Sequence, residues 1–173
     1  DELLPRILGY QVDALVIAST TPSNEIIEES IRKGTPVILF NRFAPGTAAC
    51  SVCCDNVAGG RAVADLLLDG GYQQIAYIAG RSDTSTNEMR ERGFMGRLQE
   101  RAYSNLSRSE GSYTYEAGYE AAVELLSADL RPDAIFCAAD IMAMGAMDAV
   151  RVAGLRIPAD VAVVGFDDIP VAG

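Results

Sequence analysis

The chain contains no histidine. The commonest general base and the commonest metal ligand are therefore missing. Serine–histidine and cysteine–histidine catalytic pairs cannot form within it. No apolar run approaches the roughly 18 residues of a membrane span. The opening residues, Asp1-Glu-Leu-Leu-Pro-Arg6, lack the basic region and apolar core of a secretory signal. Neither a G-x-G-x-x-G nor a Walker-type phosphate loop is present, and Gly59-Gly60 and Gly80 do not form one. Nucleotide-dependent chemistry is unsupported, and no cofactor or metal is expected. Positive charge is scarce too: 14 Lys and Arg face 24 Asp and Glu, a net charge of −10. An acidic surface repels phosphate backbones, so this stretch does not itself grip nucleic acid, although a separate basic segment could.

What is present describes a folded α/β protein. At 173 residues and 49% hydrophobic content, the chain can form one domain or two small lobes. Five short apolar runs, residues 12–18, 36–40, 74–79, 134–139 and 161–166, lack strict alternation, as expected of strands covered on both faces. Helical patterns lie between them, at residues 25–33, 60–68, 88–101, 115–126 and 140–153, and three stop at glycine: Gly34, Gly70 and Gly154. This alternation implies βαβ units, a parallel sheet and helices on both faces. Residues 101–112 are polar and irregular and read as a loop. Residues 51–56 are short and extended in composition and read as a hinge between lobes. The chain opens on a helix-like segment, residues 2–9, and ends after a strand and loop, so a piece of a longer protein is expected.

Four cysteines need an account. Cys50-Ser-Val-Cys53 is formally a C-x-x-C, a pattern of redox and zinc sites. It has no second pair and does not open a helix after a strand. Cys50, Cys53, Cys54 and Cys137 therefore read as small buried residues near strands, and free thiols favour a reducing, cytoplasmic setting.

Several residues could carry recognition. Asp167 and Asp168 follow the run Val161-Ala-Val-Val-Gly-Phe166, at the carboxyl end of a strand, where α/β sheets bind ligands. Adjacent residues of an extended segment point opposite ways, so one of the two acids faces the crevice. A carboxylate there can accept several hydrogen bonds from ligand hydroxyls; the alternative is a solvated loop acid. Asp140 precedes a helical stretch and reads as its N-cap. Arg90 could clamp a carboxylate, phosphate or diol, or pair on the surface with Glu91. Tyr113 could stack on a sugar or base, or pack under a loop.

Four stretches carry a family likeness: Tyr10-Gln-Val-Asp-Ala-Leu-Val-Ile-Ala-Ser19, Asp55-Asn-Val-Ala-Gly-Gly60, Met89-Arg-Glu-Arg-Gly-Phe94, and residues 134–168, with Asp140-Ile-Met-Ala-Met-Gly-Ala146 followed by Ile157-Pro-Ala-Asp-Val-Ala-Val-Val-Gly-Phe-Asp-Asp168. In order and spacing they resemble the lactose-repressor/galactose-repressor (LacI/GalR) family of transcriptional regulators, in its periplasmic-binding-protein-like effector domain. The resemblance implies two Rossmann-like lobes with parallel sheets. Residues 1–54 would form part of the N-terminal lobe, and residues 55–173 the C-terminal lobe, ending before the return crossing. It implies a homodimer and an inter-lobe effector: a sugar, sugar phosphate or nucleobase. That effector would alter operator DNA binding by a helix-turn-helix not carried here, through a coupling of about 1–3 kcal/mol. Carried over residue by residue, the ligand positions are Ser19, Asn41, Arg90, Tyr113 and Asp167. Where many sugar-responsive members carry asparagine before the helix-capping acid, this chain has Ala139, so one amide contact is missing.

Two other readings share the α/β frame. One is a periplasmic solute-binding protein feeding a transporter, which the Ile157-Pro-Ala-Asp160 insert and the cysteines argue against. The other is an enzyme using Asp167 or Asp168, which the missing histidine, nucleophile elbow and phosphate loop argue against.

Overall fold

A computed structural model describes residues 12–18 and 23–171. The expected helix at residues 2–9 lies outside them. The chain divides into two compact units. One runs to Asp55 and takes in Asp83–Thr86; the other comprises Asn56–Ser82 and Asn87 onward.

The first unit holds a parallel three-stranded sheet in the order β1 (Leu15–Ile17), β2 (Val37–Phe40), β3 (Cys50–Val52). Helix α1 (Asn24–Arg32) is capped by Ser23, whose hydroxyl accepts from the Ile26 N–H. Ile27 of that helix is fully buried with Leu15, Ile17, Val37 and Leu39. This small core fits the alternating burial of β1, whose outer residue Val16 is exposed.

The second unit is larger. Its parallel sheet runs β5 (Leu106–Glu110), β4 (Ile75–Ala79), β6 (Ala134–Cys137), β7 (Ala162–Val164). Helices α2 (Asn56–Asp69), α3 (Ser85–Glu100, in this unit from Asn87 onward), α4 (Tyr115–Leu126) and α5 (Asp140–Val152) connect them. Every residue of β4 and of β6 is buried, which is why both strands are continuous apolar runs in the sequence. Tyr77, Phe94 and Phe136 form an aromatic knot, with ring centroids 5.1 Å apart for Tyr77–Phe136 and 4.8 Å for Phe94–Phe136. Burial pushes the Tyr77 phenol well above its ordinary range, so it stays a protonated donor.

Two local expectations change. Residues 101–112 are not all loop: β5 lies there, pairing in parallel with β4 from Ile75↔Leu106 to Ala79↔Glu110. It is an edge strand with mostly exposed, polar side chains, so it lacks the apolar signature of a covered strand. Cys50, Cys53 and Cys54 are exposed rather than buried: Cys50 opens β3, an edge strand among the described residues, and Cys53 and Cys54 follow it; Cys137 is buried as expected. Burial pushes the Cys137 thiol well above its usual range and leaves it inert.

Candidate functional site

The parallel register of the second unit brings the carboxyl ends of β4, β5, β6 and β7 to one side. Such an edge is where open α/β sheets present ligand-binding groups. Arg90, on α3, reaches the β6 and β7 ends of that edge with only 2% of its surface exposed. A buried guanidinium is costly unless its donors and its charge are matched. Here they are matched from three directions. Nε donates to the Asn56 side-chain oxygen at 2.8 Å, Nη1 donates to the Ala138 carbonyl, and Nη2 donates to the Asp167 carboxylate at 2.6 Å. The guanidinium carbon lies 3.9 Å from the Phe166 ring centroid, a cation–π contact. Three of the five N–H donors of an arginine are thus used by these partners. Glu91, the surface partner weighed for Arg90, instead binds Arg108, at 2.6 Å.

Asn56 and Arg90 can meet because α2 and α3 touch through glycines. A Cβ on Gly60 would lie 2.2 Å from the Arg90 carbonyl, and one on Gly93 would lie 2.1 Å from the Val57 carbonyl. Only hydrogen fits at both positions, and the close crossing sets the first turn of α2 beside Arg90.

Asp167 reaches outward. Its side chain is 37% exposed, against 2% for Arg90. Partial burial pushes its carboxyl above the usual range, although the Arg90 guanidinium pulls it the other way. Both acids after β7 have left-handed backbone, with φ 109° at Asp167 and 55° at Asp168, a conformation uncommon for residues other than glycine. Asp167 takes the arginine, and Asp168 is exposed.

Tyr113 stands over the end of β4. A Cβ on Gly80 would lie 2.2 Å from the Tyr113 ring carbon Cζ, so the ring covers a position that only glycine allows. The backbone beneath is held by Asn87, whose side-chain oxygen accepts from the Gly80 N–H at 2.7 Å and from the Tyr77 hydroxyl at 3.2 Å. Asn56, Asn87 and Phe166 were not singled out in the sequence. Their partners lie 34 residues away for Asn56 and 7–10 for Asn87, so no local pattern marks them.

Asp140 is not the expected N-cap. The cap position is Ala139, with no side-chain hydrogen bond, and Asp140 opens α5 itself. Its carboxylate instead accepts from the Ile169 N–H at 2.9 Å.

In the first unit, Asn41 follows β2 with φ 54°. Its N–H donates to the Val52 carbonyl at 2.8 Å, and its own carbonyl accepts from Arg42 Nη1 at 2.7 Å. Ser19 lies outside the described residues. Among the described residues, no group of three His, Cys, Asp or Glu side chains is placed to hold a metal ion, and no helix is long and apolar enough to cross a membrane.

Comparison with known proteins gives this geometry a context. The family described as periplasmic binding protein domain matches residues 6–172. The HTH-type transcriptional regulator GalS of Salmonella typhimurium is 34% identical over 168 residues, covering 96% of this chain and 49% of the relative. The solved complex of the transcriptional regulator CelR with cellobiose superposes with a TM-score of 0.86 at 31% identity, covering 98% of this chain and 53% of that one. A Caulobacter myo-inositol binding protein bound to myo-inositol superposes with a TM-score of 0.90 at 29% identity, covering 99% and 61%. The chain spans about half the length of the curated relatives it matches. It belongs to the periplasmic binding protein domain family, and LacI-type transcriptional regulators are among the relatives it resembles along nearly its whole length.

Proposed function

We propose that this chain is the ligand-sensing and dimerisation domain of a LacI-type, DNA-binding transcriptional regulator working in the cytoplasm. Residues 1–54 serve as part of its N-terminal lobe and residues 55–173 as its C-terminal lobe. Binding of a small molecule alters operator affinity in an attached helix-turn-helix, and the domain pairs as a homodimer. Ser19, Asn41, Arg90, Tyr113 and Asp167 are the ligand contacts, and the domain performs no catalysis. The regulator relatives support the assignment to transcription. The observation that carries the ligand site is the buried Arg90, fixed by Asn56, Ala138 and Phe166 while its partner Asp167 remains open to solvent.

That pairing also bears on ligand class. The charge of Arg90 is already matched by Asp167, and Asp140 adds a second carboxylate to the loop that carries it. A hydroxyl-rich, uncharged sugar or polyol suits such a mixed donor–acceptor pair better than a sugar phosphate, which requires an unmatched cation. Tyr113 supplies a flat apolar surface for a sugar face. The relatives crystallised with cellobiose and with myo-inositol show such ligands in proteins of this fold.

A thermal-shift screen of neutral sugars and polyols against their phosphates tests this. Stabilisation by a neutral member alone is expected, since a ligand at 100 times its Kd adds about 2.7 kcal/mol to the folded state. Stabilisation by phosphorylated members alone overturns the ligand class. The second reading, a solute-binding protein serving a transporter, is favoured by the myo-inositol-binding neighbour. The gene sequence upstream of Asp1 separates the two: a helix-turn-helix supports the regulator, and a cleavable signal peptide overturns it.

A further inference from the structure

Asp140 makes contacts that neither helix capping nor ligand binding explains. Its backbone N–H donates to the Phe166 carbonyl at 2.9 Å, and its carboxylate accepts from the Ile169 N–H at 2.9 Å. One residue thereby grips both ends of the turn that contains Asp167 and Asp168, the two positions with left-handed backbone. The fit is tight on the near side as well. A Cβ on Gly165 would lie 2.1 Å from the Asp140 carboxylate oxygen and 3.1 Å from its Cα. The residue is 7% exposed, and a buried carboxylate is retained only where it is hydrogen-bonded.

We propose that Asp140 is a positioning residue: by clasping residues 166 and 169 it holds the strained turn in the one conformation that places the Asp167 carboxylate on Arg90. Left-handed backbone at a non-glycine residue persists only where its surroundings over-determine it, and Asp140 supplies that constraint from outside the turn. Phe166, whose carbonyl Asp140 binds, also carries the ring beneath Arg90. Removing the carboxylate frees the Ile169 end of the turn while the Asp140 N–H still holds the Phe166 carbonyl, so the Asp167 carboxylate shifts on Arg90 and both members of that pair register the change. The role of Asp140 in recognition rests on the reading of Arg90 and Asp167 as ligand contacts; its role in placing Asp167 does not.

The test needs no ligand. In the full chain, the Arg90 Nε–H proton resonance and the Asp167 carboxyl carbon shift report the ion pair, and hydrogen exchange of the Ile169 amide reports the clasp. Asp140→Ala is expected to speed Ile169 exchange about tenfold or more, and to shift both the Arg90 and the Asp167 resonances. Asp140→Asn keeps an oxygen acceptor for the Ile169 N–H and is expected to retain the wild-type resonances. Asp140→Glu keeps the charge but moves the carboxylate outward by one methylene, and is expected to behave like alanine. If the alanine variant does not fold, the contrast between Asp140→Glu and Asp140→Asn decides. Wild-type Arg90 and Asp167 resonances in the alanine and glutamate variants overturn the proposal, as does an asparagine variant shifted as far as glutamate. Shifted resonances in Asp140→Ala together with unchanged binding of a neutral sugar identified in the thermal-shift screen contradict the ligand-site reading instead, and leave the positioning role standing.

Discussion

Helix α3 carries two arginine clusters that differ in almost every physical respect. Near its start, Arg90 is buried and meets one carboxylate, one amide, one carbonyl and one aromatic face. Near its end, Arg97 and, just past it, Arg101 lie in a solvated lattice with Glu100 and, from α2, Arg61, Asp65 and Asp69, at distances of 2.7–2.9 Å. The distances are close to the 2.6 Å of the Arg90–Asp167 contact. The environments do not. Exposed pairs are screened and contribute little, whereas a buried charge stripped of its partner is expensive. The short Arg90–Asp167 contact is therefore coupled to the rest of the second unit, while the similarly short contacts of the lattice are each screened by solvent and contribute a modest, pH-dependent stabilisation of the α2–α3 surface. Shared geometry does not mean shared consequence; burial decides.

The largest expected effect comes from removing Arg90. Arg90→Ala leaves the Asn56 oxygen and the Ala138 carbonyl without their donor and opens a void beside Phe166. It should destabilise the second unit by about 2–5 kcal/mol in denaturant titration, from the two unsatisfied acceptors and the void. Arg90→Lys should recover only part of this, because a lysine cannot reproduce the fork that meets three acceptors in different directions. Next comes Asp167→Asn. A neutral partner for a buried guanidinium should weaken binding of a neutral sugar by about 2–5 kcal/mol, toward the lower end because Asp167 is 37% exposed. Gly80→Ala should be milder. Its methyl group must displace the Tyr113 ring, at an overpacking cost of about 1–3 kcal/mol, and ligand affinity should fall with it in calorimetry.

The smallest mutational effect is expected in the lattice. Arg97→Ala should lower the unfolding midpoint only slightly at physiological salt and leave sugar affinity at its wild-type value. Acid should nevertheless separate the two clusters by sign. The arginines hold Glu100 down to about 2 and hold Asp65 below its ordinary range. Groups lowered in this way stabilise the fold above the ordinary carboxylate pKa, and that contribution is lost as pH falls from about 4.5 toward 2. Asp167 is shifted the other way, so its contribution is present at acid pH and is lost as pH rises through its raised value. Comparing the acid unfolding of Glu100→Gln and Asp167→Asn with that of the wild type should therefore show opposite changes in slope.

The difference between these clusters explains what was legible in the sequence. β4 and β6 are buried on both faces, so their apolar runs marked them plainly. β5 was hidden because Leu106-Ser-Arg-Ser-Glu110 is an edge strand whose polar side chains meet water and Glu91, not a core. Arg90 and Asp167 were both singled out, from a family likeness and a strand-end argument. Their pairing spans 77 residues and leaves no local trace. Asp140 was misread for the same reason: an acid before a helix has a local explanation in capping, and its actual partner lies 29 residues later. Asn56 and Asn87 look in sequence like any polar residue near a helix start. Local chemistry announces strands and caps, while contacts that close across a sheet edge appear only once the sheet is built.

The most direct test is calorimetric titration of one neutral sugar, taken from the thermal-shift screen, into wild type, Asp167→Asn and Arg97→Ala. A site built on the buried arginine predicts at least a tenfold weaker Kd for Asp167→Asn, equivalent to about 1.4 kcal/mol, and a wild-type Kd for Arg97→Ala. Equal affinity across all three proteins would contradict it and move the ligand elsewhere in the molecule.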